Sequence, residues 1–220
     1  MQTEQTSTSF FDTFSNGVIH ALQAISFLEV IAVLLGFAYL FLAMKENSLC
    51  WYAAFGSTAI YSWIFFDVSL VMESALNVYY LGMAIYGWLV WNKINSTEST
   101  QTPNDSKKLK VTTWSIKQHL ASITGVIALS LLSGYFLNNH TTAVMPYLDS
   151  FTTWGAVLTT YMVAKKVLEN WVYWIVIDTL AIYLYIDREL YLVALQMAVY
   201  VILCFIGFNA WLKSYQSQTV

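Results

Sequence analysis

The sequence predicts an all-α integral membrane protein with seven transmembrane helices in a 3+1+3 arrangement, because its composition, its apolar stretches and an internal repeat all indicate it. Of the 220 residues, 58% are hydrophobic, 17% aromatic and only 10% charged, whereas about a quarter of the residues in soluble domains are charged. The net charge of −3 is not gathered in a long block of like charge, so nucleic-acid binding is not expected. Membrane lipid is the expected environment.

Seven apolar stretches with few charges predict the transmembrane helices. They are, in order, Ile25–Met44, Cys50–Phe66, Leu70–Trp91, Leu120–Leu137, Phe151–Ala164, Trp171–Ile186 and Leu190–Leu212. Several are shorter than the ~20 residues that a straight helix needs to cross the hydrocarbon core. The fifth stretch is the weakest and is extended by the preceding residues Pro146–Asp149. Tryptophans near the ends of the stretches suit the membrane interface, and this supports the short helices.

The basic residues determine the expected orientation, because cytoplasmic loops are rich in Lys and Arg. Nine of the ten basic residues fall on one side of the predicted spans, and the exception, Arg188, is flanked by Asp187 and Glu189. That side is predicted to be cytoplasmic, which places the N-terminus outside and the C-terminus inside. No Lys or Arg precedes the first apolar stretch, so a removable signal peptide is not expected.

An internal repeat divides the predicted helices into two groups of three. The segment Ala75–Trp91 resembles Ala194–Trp211 with one residue inserted, and Gly87 matches Gly207. Both groups begin outside and end inside, so they are predicted to be parallel repeats about an axis along the membrane normal. The predicted divisions are an extracytoplasmic N-terminal segment (1–20), the first repeat (21–92), a cytoplasmic linker (93–117), a linker helix (118–138), the second repeat (146–213) and a cytoplasmic tail (214–220).

Asp178 most strongly indicates a functional site, since it is an acidic side chain in the middle of the sixth apolar stretch. A carboxylate at the centre of a membrane helix costs roughly 2.5–3.5 kcal/mol, so it normally faces a cavity or the bundle interior. Trp171, Trp174 and Asp178 follow helical spacing, which places two indoles and one anion on a single helix face. Such a face suits a flat cation. The alternative is a buried Asp that only hydrogen-bonds a neighbouring helix.

Two amides occupy the same position in the two repeats. Asn77 and Gln196 lie a few residues inside the outer boundary of the third and seventh helices. Tyr80 and Trp88 follow Asn77 at helical spacing, and Tyr200 follows Gln196 in the same way. Paired amides predict a site on the axis between the repeats. The alternative is that the amides hold helices together, at ~0.6 kcal/mol each.

Asn170, at the start of the same helix as Asp178, completes the predicted site, although an amide also suits a helix N-terminus for structural reasons. Catalytic motifs are missing from the sequence, so an enzyme is not predicted. The three histidines lack ligand spacing, and neither a metal nor a cofactor is expected. The predicted substrate-binding residues are Asn77, Tyr80, Trp88, Asn170, Trp171, Trp174, Asp178, Gln196 and Tyr200.

Two runs of residues resemble the PnuC family of vitamin transporters. They are IYGWLVW at Ile85–Trp91 and KKVLENWVYWIVID at Lys165–Asp178, and the similarity extends over nearly the whole chain. The resemblance implies a seven-helix protein of the bacterial inner membrane, arranged like full-length SWEET transporters and assembled as a homotrimer. It also implies facilitated uptake of an unphosphorylated B-vitamin, which a cytoplasmic kinase then traps.

The choice of vitamin depends on where this chain departs from the riboside-transporting members. Asp178 stands where those members tend to have Asn, Asn77 where many have Gln, and Ala84 where an Asn can occur. Thiamine is therefore the predicted substrate of this small-cation site, and nicotinamide riboside is the alternative. The cation is expected to stack on Trp174 and Tyr80 or Tyr200, with its charge offset by Asp178. A SWEET-like sugar carrier and a receptor without transport are the further alternatives.

Overall fold

The computed structural model describes residues 10–67, 71–93, 109–141 and 144–219. The first nine residues, Leu70, positions 94–108 of the predicted linker and Val220 lie outside these ranges. The described residues form helices and one isolated parallel bridge, between Thr112 and Val167. The helices are α1 (Phe10–Ala24), α2 (Phe27–Met44), α3 (Cys50–Asp67), α4 (Val71–Lys93), α5 (Ile116–His140), α6 (Pro146–Ala164), α7 (Asn170–Asp187) and α8 (Tyr191–Thr219).

The all-α prediction is confirmed for the described residues, and each predicted apolar stretch overlaps one of the helices α2–α8. Helix α1 precedes them and was not predicted: it covers part of the segment 1–20, which was predicted to be an extracytoplasmic N-terminal segment. It has no buried residue, and Phe14 meets Tyr191 of α8 edge to face at 5.3 Å. By length and composition, three of the described helices can cross a membrane: Phe27–Met44, Ile116–His140 and Tyr191–Gln218.

Side-chain caps define where α2 and α5 begin. Ser26 Oγ accepts a hydrogen bond from Glu29 N, and Glu29 Oε2 accepts one from Ser26 N at 2.6 Å. Ser115 and Gln118 make the same reciprocal pair at the start of α5. These capping boxes satisfy amide groups that a helix leaves free at its N-terminus. The acidic residue near the outer end of the first predicted span, Glu29, therefore has a structural role.

The helices form two triplets, α2–α4 and α6–α8, which contact one another in matching ways. Within each triplet consecutive helices pack together, and between the triplets α4 packs on α6 and α2 packs on α8. Helix α5 packs on α6.

The Lys165 ammonium, just after α6, lies 5.4 Å from the Tyr86 ring centroid of α4. Hydrogen bonding to the Tyr86 side chain raises the pKa of Lys165 above its ordinary value.

The turn from α2 to α3 has the same geometry as the turn from α6 to α7. Glu46 and Lys166 occupy corresponding positions, and both have φ of 52°, a left-handed conformation that is uncommon outside glycine. Glu46 N donates to Ala43 O, and Lys166 N donates to Val163 O, both at 2.9 Å. This agreement in backbone geometry extends the repeat that the sequence indicated.

Four buried tryptophans join the two triplets at the end where these turns lie; they are called the tryptophan cluster below. Trp51 and Trp91 meet edge to face at 5.4 Å, and Trp171 and Trp211 do so at the same distance. Trp91 and Trp211 connect the two pairs at 6.3 Å. All four are 4% exposed or less. All four belong to the buried core.

Candidate functional site

The Asp178 carboxylate is buried and unpaired. The residue lies in the middle of α7 and is 6% exposed. Among the residues that the structure describes, no hydrogen bond or ion pair to its carboxylate is present. Burying a charge without a partner is costly, so this carboxylate is a candidate to bind a cation from outside the chain. This favours the functional interpretation over that of a structural Asp.

Helices from both triplets converge on Asp178. Its carboxylate lies within electrostatic range of the Tyr80 hydroxyl of α4, and of the Tyr200 hydroxyl and the Cys204 thiol of α8. Of the predicted site residues, Tyr80 of one triplet and Tyr200 of the other therefore each lie within electrostatic range of Asp178. A carboxylate and aromatic rings are the groups that suit a flat organic cation.

Tyr200 is held in place from two directions. Gln196, another predicted site residue, donates from Nε2 to the Tyr200 hydroxyl at 2.8 Å. The ring meets Phe37 of α2 edge to face at 5.3 Å. Its hydroxyl also comes close to the backbone of α2 at Gly36, where an added Cβ would lie 2.8 Å from the hydroxyl oxygen. Glycine at this position therefore allows the close approach of α2 and α8.

Tyr39 of α2 is close to predicted site residues but was not itself predicted from the sequence. It lies within electrostatic range of Tyr80 and Tyr200 and of the thiols of Cys50 and Cys204, and its ring centroid is 6.1 Å from that of Trp51. The sequence does not set Tyr39 apart, because it lies in an apolar stretch that contains several other aromatic residues. The position of Tyr39 is therefore visible only once α2 is packed between α3 and α8.

Two predicted site residues lie at a different level of the bundle. Trp171 lies in the first turn of α7, in the tryptophan cluster. It is seven positions before Asp178, which corresponds to about 10 Å along the helix axis. Asn170 is fully buried beside it and donates from Nδ2 to Val167 O at 2.6 Å. Helical spacing correctly placed Trp171 and Asp178 on one helix, but it did not show that another cluster surrounds the indole.

The remaining predicted residues are half-buried. Trp174 lies one turn closer to Asp178 than Trp171 and packs against the core. Trp88 of α4 pairs with Tyr52 at a ring distance of 6.1 Å. Asn77 also lies on α4, about one turn before Tyr80. Trp174 and Asn77 are therefore placed on the two helices that contribute Asp178 and Tyr80, and their contacts with a substrate stay a prediction.

Comparison with known proteins places this arrangement in a family. Residues 26–213 match the family model of the nicotinamide mononucleotide transporter. The nicotinamide riboside transporter PnuC of Escherichia coli (strain K12) is 22% identical, with 86% of this chain and 87% of that protein covered. The riboflavin/roseoflavin transporter RibM of Streptomyces davaonensis is 23% identical, with 73% of this chain and 72% of that protein covered.

A solved structure shows the same fold. The crystal structure of the vitamin B3 transporter PnuC matches with a TM-score of 0.71 at 17% identity, covering 94% of this chain and 90% of that one. The apolar helices and the transporter relatives together indicate a multi-pass membrane protein. Because the family model matches most of its length, the chain belongs to the nicotinamide mononucleotide transporter family, that of the PnuC-type vitamin transporters.

Proposed function

We propose that this protein transports nicotinamide riboside across the membrane. The observation that supports it most is the buried Asp178 carboxylate, which has no partner among the described residues and lies within electrostatic range of Tyr80 and Tyr200. The predicted preference for thiamine rested on Asp178 and on the departures at Asn77 and Ala84. It finds no support in the relatives, which are named for nicotinamide riboside and riboflavin. The riboside has a pyridinium cation, so the same carboxylate suits it equally well.

Recognition follows from the chemistry of the site. The pyridinium ring stacks on a phenol face of Tyr80 or Tyr200 or on Trp174, an interaction of about 0.5–2 kcal/mol. Asp178 supplies the negative charge, and the low dielectric of the bundle strengthens this attraction. The amides of Asn77 and Gln196 hydrogen-bond the polar edges of the substrate. Substrate binding thereby neutralises a charge that the empty protein leaves unpaired.

The transport mechanism proposed here is alternating access between two parallel repeats. Helices α2–α4 and α6–α8 are the repeats of a seven-span, 3+1+3 protein, and α5 is the linker helix. The matching turns and the matching contacts of α4 with α6 and α2 with α8 support this division. The site lies where the repeats meet, so a rocking motion exposes it to either side in turn.

The cellular setting is proposed on the basis of charge and family. The basic residues put the N-terminus outside and the C-terminus in the cytoplasm of a bacterial inner membrane. Facilitated diffusion needs no energy source, and a cytoplasmic kinase that phosphorylates the vitamin prevents its return. A homotrimer is the proposed assembly.

The experiment is uptake by proteoliposomes that contain the purified protein. Radiolabelled nicotinamide riboside should enter along its gradient and be competed by the unlabelled riboside but not by thiamine. Empty liposomes and the Asp178→Ala variant are the controls. Saturable thiamine uptake without riboside uptake would contradict the proposal.

Riboflavin is the second candidate, because RibM is among the relatives. Its isoalloxazine ring is flat but uncharged, so it has no need of an anion. Asp178→Asn should then leave riboflavin binding within about twofold, whereas it should weaken riboside binding strongly. The same variant therefore separates the two candidates.

A further inference from the structure

A buried ion pair connects the two triplets at the end of the bundle beyond the tryptophan cluster. Lys166 Nζ donates to Glu46 Oε2 at 2.7 Å. The Lys166 side chain is 2% exposed and that of Glu46 is 20% exposed. The two residues are 120 positions apart and occupy corresponding places in the two matching turns. One triplet thus supplies the anion and the other the cation of a contact on their common axis.

The ion pair is built into the tryptophan cluster. The Lys166 ammonium lies 4.6 Å from the ring centroid of Trp91, within the range of a cation–π interaction. Trp91 in turn donates from Nε1 to Ala164 O of the other triplet at 3.1 Å. A cavity of about 270 Å³ adjoins Glu46, Trp91 and Lys166. Both partners of the ion pair therefore line this cavity.

The backbone of Lys166 is fixed by the segment that leads into α5. Thr112 N donates to Lys166 O at 2.9 Å, and Leu168 N donates to Thr112 O at 2.8 Å. Val111, next to this bridge, is 3% exposed. Since the turn that bears Lys166 is braced in this way, the ammonium can leave Glu46 only if the two triplets part or the side chain swings out.

We propose that the Glu46–Lys166 pair is a latch that closes this end of the transport pathway, and that it must open for the substrate to pass. The proposal depends on the alternating access described above. The pair stabilises the state in which the two turns touch, and it contributes nothing to a state in which they are apart. Breaking one partner leaves a buried charge unpaired, which destabilises the closed state selectively.

Cys50 offers a native reporter of the closure. It begins α3, is 0% exposed and lies within electrostatic range of Lys166. In a Cys204→Ser background it is the sole thiol of the chain. The rate at which N-ethylmaleimide modifies it in the purified full-length protein therefore measures how often this end opens.

Glu46→Gln and Lys166→Met should each raise the Cys50 labelling rate about tenfold or more, because the closed state loses its stabilising pair. The charge exchange Glu46→Lys with Lys166→Glu should return the rate to that of the parent. Asp149→Asn is the matched control: it breaks the Asp149–Arg188 pair, which has the same 2.7 Å length but is exposed and lies within one triplet. It should leave labelling unchanged.

Labelling at the parent rate in both single variants would overturn the latch, as would an exchange variant that labels as fast as the single ones. If the single variants do not fold, the exchange variant decides. An exchange variant that folds and keeps Cys50 protected still supports the latch, whereas an exchange variant that does not fold overturns it. Labelling needs no substrate, so a failed latch is distinguishable from a failed assignment of the vitamin, which riboside binding by the same preparation tests.

Discussion

Trp91 and Trp211 make the same hydrogen bond in opposite directions across the interface of the two triplets. Trp91 Nε1 donates to Ala164 O at 3.1 Å, and Trp211 Nε1 donates to Ala43 O at 2.9 Å. Each acceptor lies at the C-terminal end of the first helix of the other triplet, where carbonyl groups lack partners within the helix. The repeat seen in the sequence thus corresponds to a repeated contact.

Trp91→Phe and Trp211→Phe should destabilise the protein to a similar degree. Each change removes a buried hydrogen bond from an indole to a carbonyl of the other triplet, at a cost of about 0.5–1.5 kcal/mol. The measurement is the thermal unfolding midpoint in detergent. Trp63→Phe is the control, because that side chain is 66% exposed. A large loss in one variant and none in the other would show that the two contacts are not equivalent.

Gly36→Ala should weaken riboside binding through Tyr200. An alanine Cβ would lie 2.8 Å from the Tyr200 hydroxyl oxygen, so the phenol has to move away from its position near Asp178. We expect the dissociation constant to rise about tenfold, a change of ~1.4 kcal/mol. Gly82→Ala on α4 is the matched control, since nothing lies within 4 Å of its added Cβ. Equal affinities in the two variants would contradict the role given to Tyr200.

Asp178→Asn should keep or raise the thermal stability of the empty protein. The change preserves the shape of the side chain while removing a buried charge that has no partner, which is often neutral or stabilising. The measurement is the unfolding midpoint without substrate, compared with that of Asp187→Asn, whose side chain is exposed at the end of the same helix. Clear destabilisation by Asp178→Asn alone would instead support a structural role for the carboxylate.

The sequence predicted the helices well and singled out Asp178 as a candidate site residue, for physical reasons. Apolar stretches broken by turns specify helices in lipid, and Asp178 is conspicuous because an acid in such a stretch is costly. Tyr39 and Gly36 could not be predicted, since their importance depends on which helices touch. The same is true of Lys166. In the sequence, Lys166 is only one of nine basic residues that indicate the cytoplasmic side. In the structure, packing against Glu46 and Trp91 buries it.

The preference for thiamine shows the limit of reasoning from a few side chains. A carboxylate in an aromatic site specifies a cation, and both thiamine and nicotinamide riboside are cations. The relatives, compared over most of the chain, favour the riboside. Similarity over most of the chain therefore contains information about the substrate that the charge of Asp178 does not provide.

The most direct test of the central claim is calorimetric titration of the purified protein with nicotinamide riboside, with thiamine titrated in parallel. We expect saturable riboside binding to the native protein and unchanged binding to the Asp187→Asn variant. The Asp178→Asn variant should lose at least about tenfold in riboside affinity, because a buried charge partner is removed. We also expect no comparable thiamine binding. Full riboside affinity in the Asp178→Asn variant, or thiamine binding in place of riboside binding, would contradict the central claim.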